Sequence, residues 1–481
     1  MTHQANLFSP FLDQIAGPDP TSALRSGLIG EGVMIDGPFG SKPLIYADYT
    51  ASGRALRQVE AFVMDHVLPY YANSHTEASF CGARMTQMRH AARAIIARSC
   101  GAGPEHAVVF CGSGATAGIN RLVALLGAGS GARVILGPYE HHSNLLPWRE
   151  SGAEVIVLGE DPAGGPDRAE LAEALATAPK GARVICAFSA ASNITGEIAD
   201  VAALTRQVRA ARARIVWDYA GGGPYLPIAM SPEPGTEIDA VVISPHKFVG
   251  GPGASGVMIL RRDAVVTDRP SWPGGGTVSF VSPDSHDYSP RLEAREEAGT
   301  PNVVGDLRAA LAFLVKDTMA GAGMAQRNVV LAERAQQVWS AVPRITLLGP
   351  AGRNRLPIFA FRLRDGQGGF VHHQLVTRLL SDRYGIQARG GCACAGPYVH
   401  KLLGIDAAAS HQLRQAILSG QEMEKPGFVR LNLSPLMVDD KVQTILNSVT
   451  ALAGDAPALA RHYACDPETA IFTAMPSKAV A

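Results

Sequence analysis

Short apolar runs alternate with amphipathic stretches between about residues 105 and 262. Most of these runs are continuously hydrophobic, which is typical of strands buried on both faces of a mostly parallel sheet. Between them, segments 116–127 and 200–212 carry the 3.6-residue spacing of crossover helices. The pattern therefore predicts an α/β domain whose seven strands lie at 106–111, 132–136, 153–158, 182–188, 214–218, 239–244 and 255–260.

The pattern changes from about residue 303. A long helical stretch at 306–338 is followed by the strand-like run IFAFRL, a helix near 373–384 and the strand-like run FVRLNLS. We expect a large domain at 46–302 and a smaller α+β domain at 303–481. Residues 1–45 are expected to form a mobile arm or part of the smaller domain.

The composition argues against a nucleic-acid-binding, membrane or secreted protein. The 481 residues include 43 basic and 43 acidic side chains, so charge gives no reason to expect nucleic acid or a membrane surface as a partner. We find no apolar run long enough to span a bilayer and no secretory signal at the start of the chain. The seven cysteines are odd in number and form no disulfide framework, so we expect a cytoplasmic protein.

The segment Ser244-Pro-His-Lys247 ends a predicted strand and is followed by FVGGPGASG. A lysine at a strand end beside a glycine-rich turn loses part of its solvation and becomes a better nucleophile toward an aldehyde. The neighbouring Ser244 and His246 have side chains that donate to a phosphate. Taken alone, however, such a lysine is more often a solvated surface residue.

Asp218 ends another predicted strand, RIVWD. A carboxylate at that position can pair with a protonated pyridine nitrogen and keep the ring an effective electron sink. The alternative is an aspartate that caps a turn. Ala220 is small enough for an aromatic ring to lie against the backbone.

Two further polar segments follow predicted strands. Cys111–Thr116 opens a helix, whose N-terminal amides would bind a phosphate or else form an ordinary cap. His141, in EHHSNLLPW, could stack on a ring and pass protons, although a lone histidine is more often structural. The adjacent His142 raises the question of a metal site, but no third ligand has obvious spacing, and we expect no metal.

In order and spacing, these motifs resemble the class V (fold-type I) aminotransferase superfamily, particularly its cysteine desulfurase and selenocysteine lyase-like branch. The resemblance extends from Tyr46 to Arg430 and implies the cofactor pyridoxal 5′-phosphate. It implies that Lys247 carries the cofactor as a Schiff base and that Asp218 and Ala220 hold its ring. The other implied cofactor contacts are the backbone of Ala115, Thr116, Ser244 and His246 at the phosphate, His141 on the ring face, and Asn193 at the phenolic oxygen or the substrate.

The same resemblance implies the substrate and the assembly. The loop Gly274–Thr277 resembles one whose threonine, here Thr277, contacts the phosphate in the neighbouring subunit, which implies a homodimer. Arg430 fits the arginine that binds the carboxylate of a small amino-acid substrate. Arg389 and Cys394 fit the loop in which a cysteine five residues after an arginine accepts sulfur. A sulfur-acceptor protein would then be a partner.

Three positions depart from the family pattern. Gly221 stands where desulfurases usually carry a glutamine or histidine that contacts the phenolic oxygen. Cys392 is an additional cysteine two residues before Cys394. It could form a resolving disulfide with Cys394, bind a metal or have no role. The segment Asp48-Tyr-Thr-Ala stands where the family usually has the sequence DNAA.

We therefore expect a cysteine desulfurase-like enzyme that takes sulfur from L-cysteine or a related amino acid through a persulfide on Cys394. One alternative is a C–S lyase, epimerase or aminotransferase that uses the same cofactor without a persulfide, and it predicts that Cys394→Ala stays active. Another is a non-catalytic fold-type I scaffold. The intact set of Lys247, Asp218, His141 and Arg430 argues against the scaffold.

Overall fold

The computed structural model describes residues 7–74, 77–350 and 354–475, so the first six residues of the predicted N-terminal arm lie outside it. The chain divides into two compact units. The first takes the chain up to Ile29, Ser52–Ser192 and Glu197–Ala325. The second takes Gly30–Ala51, Asn193–Gly196 and the chain from Gln326 onward.

A seven-stranded sheet forms the centre of the first unit, in the order β1-β7-β6-β5-β4-β2-β3. Strand β7 is antiparallel to both of its neighbours, and the other strands share one direction. The predicted mostly parallel sheet of an α/β fold is therefore confirmed. The strands are β1 (His106–Gly112), β2 (Ala132–Leu136), β3 (Glu154–Val157), β4 (Arg183–Ser189), β5 (Arg214–Asp218), β6 (Ala240–Ile243) and β7 (Gly256–Arg261).

Burial on both faces explains why most strands of this sheet are continuously hydrophobic and do not alternate between apolar and polar residues. Every residue of β2 and of β6 is buried, because helices pack on the sheet and exclude water from both faces. The apolar core between sheet and helices includes Ile119, Leu122 and Met258, each fully buried. The helices of this unit are Ser9–Ile15, Pro20–Ser26, Arg57–Phe62, Phe80–Ser99, Gly114–Leu125, Leu146–Arg149, Arg168–Ala176, Val201–Ala210, Leu292–Glu296 and Val303–Gly321, and a small hairpin pairs Val278–Val281 with His286–Tyr288.

The second unit contains an antiparallel four-stranded sheet in the order β8-β9-β11-β10. Its strands are β8 (Ile345–Leu347), β9 (Ile358–Leu363), β10 (Arg389–Gly391) and β11 (Phe428–Asn432). Its helices are His373–Tyr384, Gly396–Leu403, Ala407–Leu418, Asp439–Leu459 and nearly all of Met324–Ser340. Shorter strands pair Met34–Ile35 with Lys42–Pro43, Ile45–Tyr46 with Ile386–Gln387, and Tyr463–Asp466 with Ile471–Ala474.

The N-terminal segment differs from the expectation of one arm at 1–45. Residues 7–29 belong to the first unit, and residues 30–51 belong to the second. Aromatic packing explains the first assignment, because the rings of Phe8 and Phe11 lie 5.6 Å and 5.9 Å from that of Phe62. All three side chains are buried.

The predicted long helix at 306–338 is two helices. They are Val303–Gly321 and Met324–Ser340, and the break falls at Gly323, which has a φ of 82°. A right-handed helix requires a negative φ, and glycine readily adopts the positive one. Val303–Gly321 belongs to the first unit and packs on Phe80–Ser99, so that unit extends past the predicted limit at residue 302.

None of the helices within the described ranges is both long and apolar enough to cross a bilayer.

Candidate active site

The candidate residues of the first unit follow the carboxyl ends of strands that run in the same direction. Strands β1, β2, β5 and β6 end at Gly112, Leu136, Asp218 and Ile243. Ligands of such sheets bind in the crevice outside these ends. The sheet therefore brings together segments that are more than 100 residues apart in sequence.

Lys247 lies in a tight turn that begins where β6 ends. Its backbone N–H donates to Ser244 O at 3.0 Å, which closes a single 3₁₀ turn. The glycine-rich segment that follows packs directly against this turn. A Cβ placed on Gly251 would lie 1.9 Å from Pro245 O, so only glycine permits this close approach.

Asp218 is a buried carboxylate at the end of β5, with 3% of its surface exposed. Its Oδ1 accepts a hydrogen bond from the Ala220 N–H at 2.7 Å, and nowhere in the described chain does a donor bond its Oδ2. Burial raises the pKa of this carboxyl, while the Ala220 amide and the positive charge of Lys247 lower it. A cationic group bound at Oδ2, in addition to the charge of Lys247, would offset part of the free-energy cost of burying the Asp218 carboxylate.

Two of the residues predicted at the phosphate, Ala115 and Ser244, are in contact, and a third, His246, lies beside the adjacent Gly114. The Ala115 N–H, in the first turn of a helix, donates to Ser244 Oγ at 2.9 Å. A Cβ on Gly114 would lie 2.7 Å from His246 Cε1 and 2.8 Å from Ser244 Oγ, and Gly114 has a φ of 62°. Burial, with a smaller effect from Lys247, lowers the pKa of His246 to about 4, so this side chain is neutral near pH 7.

A chain of hydrogen bonds joins Thr116 to His141. The two hydroxyls of Thr116 and Ser143 lie 2.7 Å apart, and Ser143 Oγ lies 3.1 Å from His141 Nδ1. The Ser143 backbone N–H also donates to His141 Nδ1 at 3.1 Å. An amide N–H only donates, so Nδ1 is an acceptor and the neutral ring carries its proton on Nε2.

The sequence analysis did not identify Glu140 as a functional residue. Its carboxyl is buried, with 4% of its surface exposed, and accepts hydrogen bonds from the Ser189 N–H at 2.8 Å and from the Ser189 hydroxyl and Asn144 Nδ2 at 2.6 Å each. Burial raises its pKa to about 7, against the effect of these donors. An acidic residue in the loop that follows strand β2, directly before a candidate histidine, was the signal that could have found it.

The position of Thr277 in the single chain leaves its contact with a neighbouring subunit a prediction. Its side chain is fully buried in the single chain, and its hydroxyl donates to Gly274 O at 2.7 Å. The predicted contact with a neighbouring subunit's phosphate would require this hydrogen bond to be exchanged.

The residues of the first unit fit pyridoxal 5′-phosphate. The open Oδ2 of buried Asp218 suits a protonated ring nitrogen, and partly exposed Ala220 leaves room for a ring. The N-terminus of the helix Gly114–Leu125, with the exposed Thr116, suits a phosphate. Lys247, within electrostatic reach of Asp218, would hold the aldehyde carbon.

The second unit contains the candidate substrate arginine. Arg430 is almost fully buried and donates from Nη2 to Asp48 Oδ1 at 2.9 Å and from Nη1 to Asn193 O at 3.0 Å. Arg389 donates from Nε to the other oxygen of Asp48 at 3.0 Å. One carboxylate therefore orients both candidate arginines.

The cysteine loop of the second unit is held by Asn193. Its Nδ2 donates to Ala393 O at 2.9 Å, and its contact with the cofactor oxygen or the substrate stays a prediction. Ala395 N–H donates to Cys392 O at 3.3 Å, and Ala393 and Cys394 have φ values of 49° and 54°. Both thiols are free, with Cys394 exposed and Cys392 half-buried. Asn193 thus connects this turn to Arg430 through its own backbone.

The candidate residues therefore form two groups, one in each unit, and the first group includes His141, Asp218, Ser244, His246 and Lys247. Within the described ranges, no group of three or more His, Cys, Asp and Glu side chains is arranged to hold a metal ion.

Comparison with known proteins agrees with this geometry. A family model described as aminotransferase class-V matches residues 45–434. A cysteine desulfurase of Pectobacterium atrosepticum is 31% identical over 370 residues, which cover 74% of this chain and 85% of the relative. A cysteine desulfurase of Serratia proteamaculans is 29% identical over 368 residues, with the same coverage.

Two solved structures share the fold. An apo cysteine desulfurase from Thermococcus onnurineus superposes with a TM-score of 0.70 at 24% identity, covering 85% of this chain and 95% of that one. A cysteine desulfurase from Escherichia coli in an S-sulfonic acid form also has a TM-score of 0.70, at 23% identity, covering 91% and 98%. At this identity the likeness establishes the fold, which is fold type I.

Proposed function

The chain belongs to the class-V aminotransferase family, and from that premise we propose that it is a pyridoxal 5′-phosphate-dependent cysteine desulfurase. Its substrate would be L-cysteine or a related sulfur- or selenium-containing amino acid. The products would be alanine and a persulfide on Cys394. The cysteine desulfurase names of its curated relatives support this choice within the family.

One observation carries the cofactor assignment. Asp218 and the turn that contains Lys247 follow neighbouring parallel strands, β5 and β6. The charge of Lys247 lowers the pKa of Asp218, so the two groups lie within electrostatic reach. A buried carboxylate beside a lysine at adjacent strand ends is the arrangement needed to pair a pyridine nitrogen and to bind an aldehyde.

The cofactor, when bound, would supply an electron sink for bonds at the substrate's Cα. The side chains of this protein would supply orientation and proton transfer. Lys247 Nζ, once displaced by the substrate amine, would take the Cα proton. His141 would present its Nε2–H, because Ser143 holds Nδ1 as an acceptor. Asp218 would keep the ring nitrogen protonated.

The side chains of the second unit would bind and cleave the substrate. Arg430 would bind the substrate carboxylate through paired N–H donors. The Cys394 thiolate would form a bond to the substrate sulfur as the bond between that sulfur and Cβ breaks. The electron pair stays with the carbon fragment, which takes up protons to become alanine.

We propose a homodimer that passes its sulfur to an acceptor protein and works in the cytoplasm. Three large apolar side chains flank the Gly274–Thr277 loop and are more than half exposed, namely Trp272, Phe280 and Val281. An exposed apolar patch of this kind favours a protein interface. The seven free thiols favour a reducing compartment.

The test is alanine formation from L-cysteine, with selenocysteine as a second substrate. Wild type and Cys465→Ala, a matched variant of a half-buried thiol outside the site, are expected to form alanine, and Cys394→Ala is not. Equal activity of Cys394→Ala would favour a lyase that needs no persulfide. Cofactor binding without reaction of either amino acid would favour an epimerase or aminotransferase with another substrate.

A further inference from the structure

The two cysteines of the second unit lie in one tight turn. Residues Cys392–Ala395 are closed by the hydrogen bond from Ala395 N–H to Cys392 O, and both central residues have a positive φ. Positive φ at both central positions is the feature of a type I′ turn, which reverses the chain. Cys392 and Cys394 therefore occupy the first and third positions of a turn.

This turn keeps the backbones of the two cysteines close enough for a disulfide. Disulfides tolerate Cα separations of about 4.4–6.8 Å. The Cα atoms of Cys392 and Cys394 are separated by two steps of about 3.8 Å each. Because the turn folds these two steps back, the direct distance between the two Cα atoms falls within that range. Asn193 Nδ2 binds the carbonyl of Ala393, between the two cysteines, and so restrains the turn. Cys394 is exposed and Cys392 is half-buried, so neither residue is enclosed in the core.

We propose that Cys392 is a resolving thiol that releases the sulfur from Cys394 as hydrosulfide. This inference rests on the proposed function, since L-cysteine would load Cys394 with the persulfide. The loop would thereby provide a second route for the sulfur, as free sulfide, beside transfer to an acceptor protein. Cys392, which the family pattern does not explain, thus takes part in the second half of the reaction.

The step balances without an outside oxidant. The Cys392 thiolate attacks Cys394 Sγ, and a bond forms between the two Sγ atoms. The bond between Cys394 Sγ and the outer sulfur breaks, and its electron pair leaves with that sulfur as hydrosulfide. The outer sulfur is reduced and the two cysteines are oxidised to a disulfide. A dithiol reductant, either a small molecule or a protein, must then reduce this disulfide before the next turnover.

The first experiment follows one turnover of the holoenzyme with L-cysteine and no reductant. In wild type and in Cys465→Ser, we expect hydrosulfide release and a Cys392–Cys394 peptide lighter by two hydrogens in the mass spectrum. In Cys392→Ser, we expect a persistent persulfide on Cys394 and hydrosulfide release slower by at least about tenfold, because the internal thiol is gone. A wild-type persulfide as long-lived as that of Cys392→Ser would overturn the proposal, as would a persulfide on Cys392 with no disulfide.

The second experiment separates the loop chemistry from the proposed function. The full-length Lys247→Ala variant is loaded with inorganic polysulfide, freed of excess reagent, and followed for hydrosulfide release. Closure of the disulfide here supports the inference independently of cofactor chemistry, and a stable persulfide contradicts it. If L-cysteine fails to load Cys394 in wild type, the proposed function fails instead, and the polysulfide result alone decides the chemistry of the turn.

Discussion

Asp48 and Arg430 form a nearly buried ion pair, with 2.9 Å between Oδ1 and Nη2. Their side chains are 13% and 5% exposed. The same carboxylate accepts a hydrogen bond from Arg389, whose side chain is 51% exposed. The carboxylate of Asp48 thus has one buried and one exposed cationic partner. The contributions of a buried and an exposed ion pair to stability can therefore be compared within one protein.

Removal of the carboxylate should destabilise the protein much more than removal of its exposed partner. Asp48→Ala leaves the buried guanidinium of Arg430 without its counter-charge, and breaking a buried pair costs about 3–5 kcal/mol. Arg389→Ala breaks an exposed pair, which contributes less than about 1 kcal/mol. Urea unfolding monitored by circular dichroism measures both. Similar losses for the two variants would show that the ion pair with Arg430 is not the main contribution.

Asp218→Asn should weaken cofactor binding. An asparagine cannot offer a charged acceptor to a protonated ring nitrogen, and a hydrogen bond to a charged group contributes about 1.5–3 kcal/mol. The dissociation constant for pyridoxal 5′-phosphate should therefore rise roughly 10- to 100-fold. Titration of the apo protein, followed by absorbance, gives this constant. Asp13→Asn, which changes an exposed carboxylate on the helix Ser9–Ile15, serves as the control, and equal affinities for all three proteins would contradict the role of Asp218.

Glu140 should make stability depend on pH. Burial raises its folded pKa to about 7 from an ordinary 4.5, so the folded state binds this proton more tightly than the unfolded chain does. The contribution to stability is fully present below about pH 4.5 and is lost as the pH rises through about 7. Relative to Glu140→Gln, the wild type should lose on the order of 3 kcal/mol of unfolding free energy over that window. Urea unfolding at several pH values measures the difference, and a constant difference across the window would rule out a raised pKa.

The elements that sequence analysis predicts well are those whose pattern is local. Strands β2 and β5 match their predicted bounds, and the helix His373–Tyr384 lies where it was expected. Continuous hydrophobic runs and the 3.6-residue period can both be recognised from residues that are close in sequence. The reversed direction of β7 was not predicted, since strand direction depends on the connection and not on composition.

The contacts that sequence analysis missed are long-range. Nothing near residue 48 indicates that its carboxylate joins Arg389 and Arg430, which are more than 300 residues away. The family resemblance assigned Asn193 to the cofactor or substrate, and nothing in the sequence indicated that its amide also binds the backbone of the cysteine loop. The role of Ser143 in setting the tautomer of His141 depends on the local backbone geometry, which residue type alone does not specify.

The most direct test of the central claim asks where the cofactor is attached. Purified protein is given pyridoxal 5′-phosphate, its visible absorption is recorded, and borohydride is added before peptide mapping by mass spectrometry. The account predicts a visible band that borohydride removes and a cofactor adduct on Lys247, with both lost in Lys247→Ala. A wild-type protein without the band, or with its adduct on another lysine, would contradict the account.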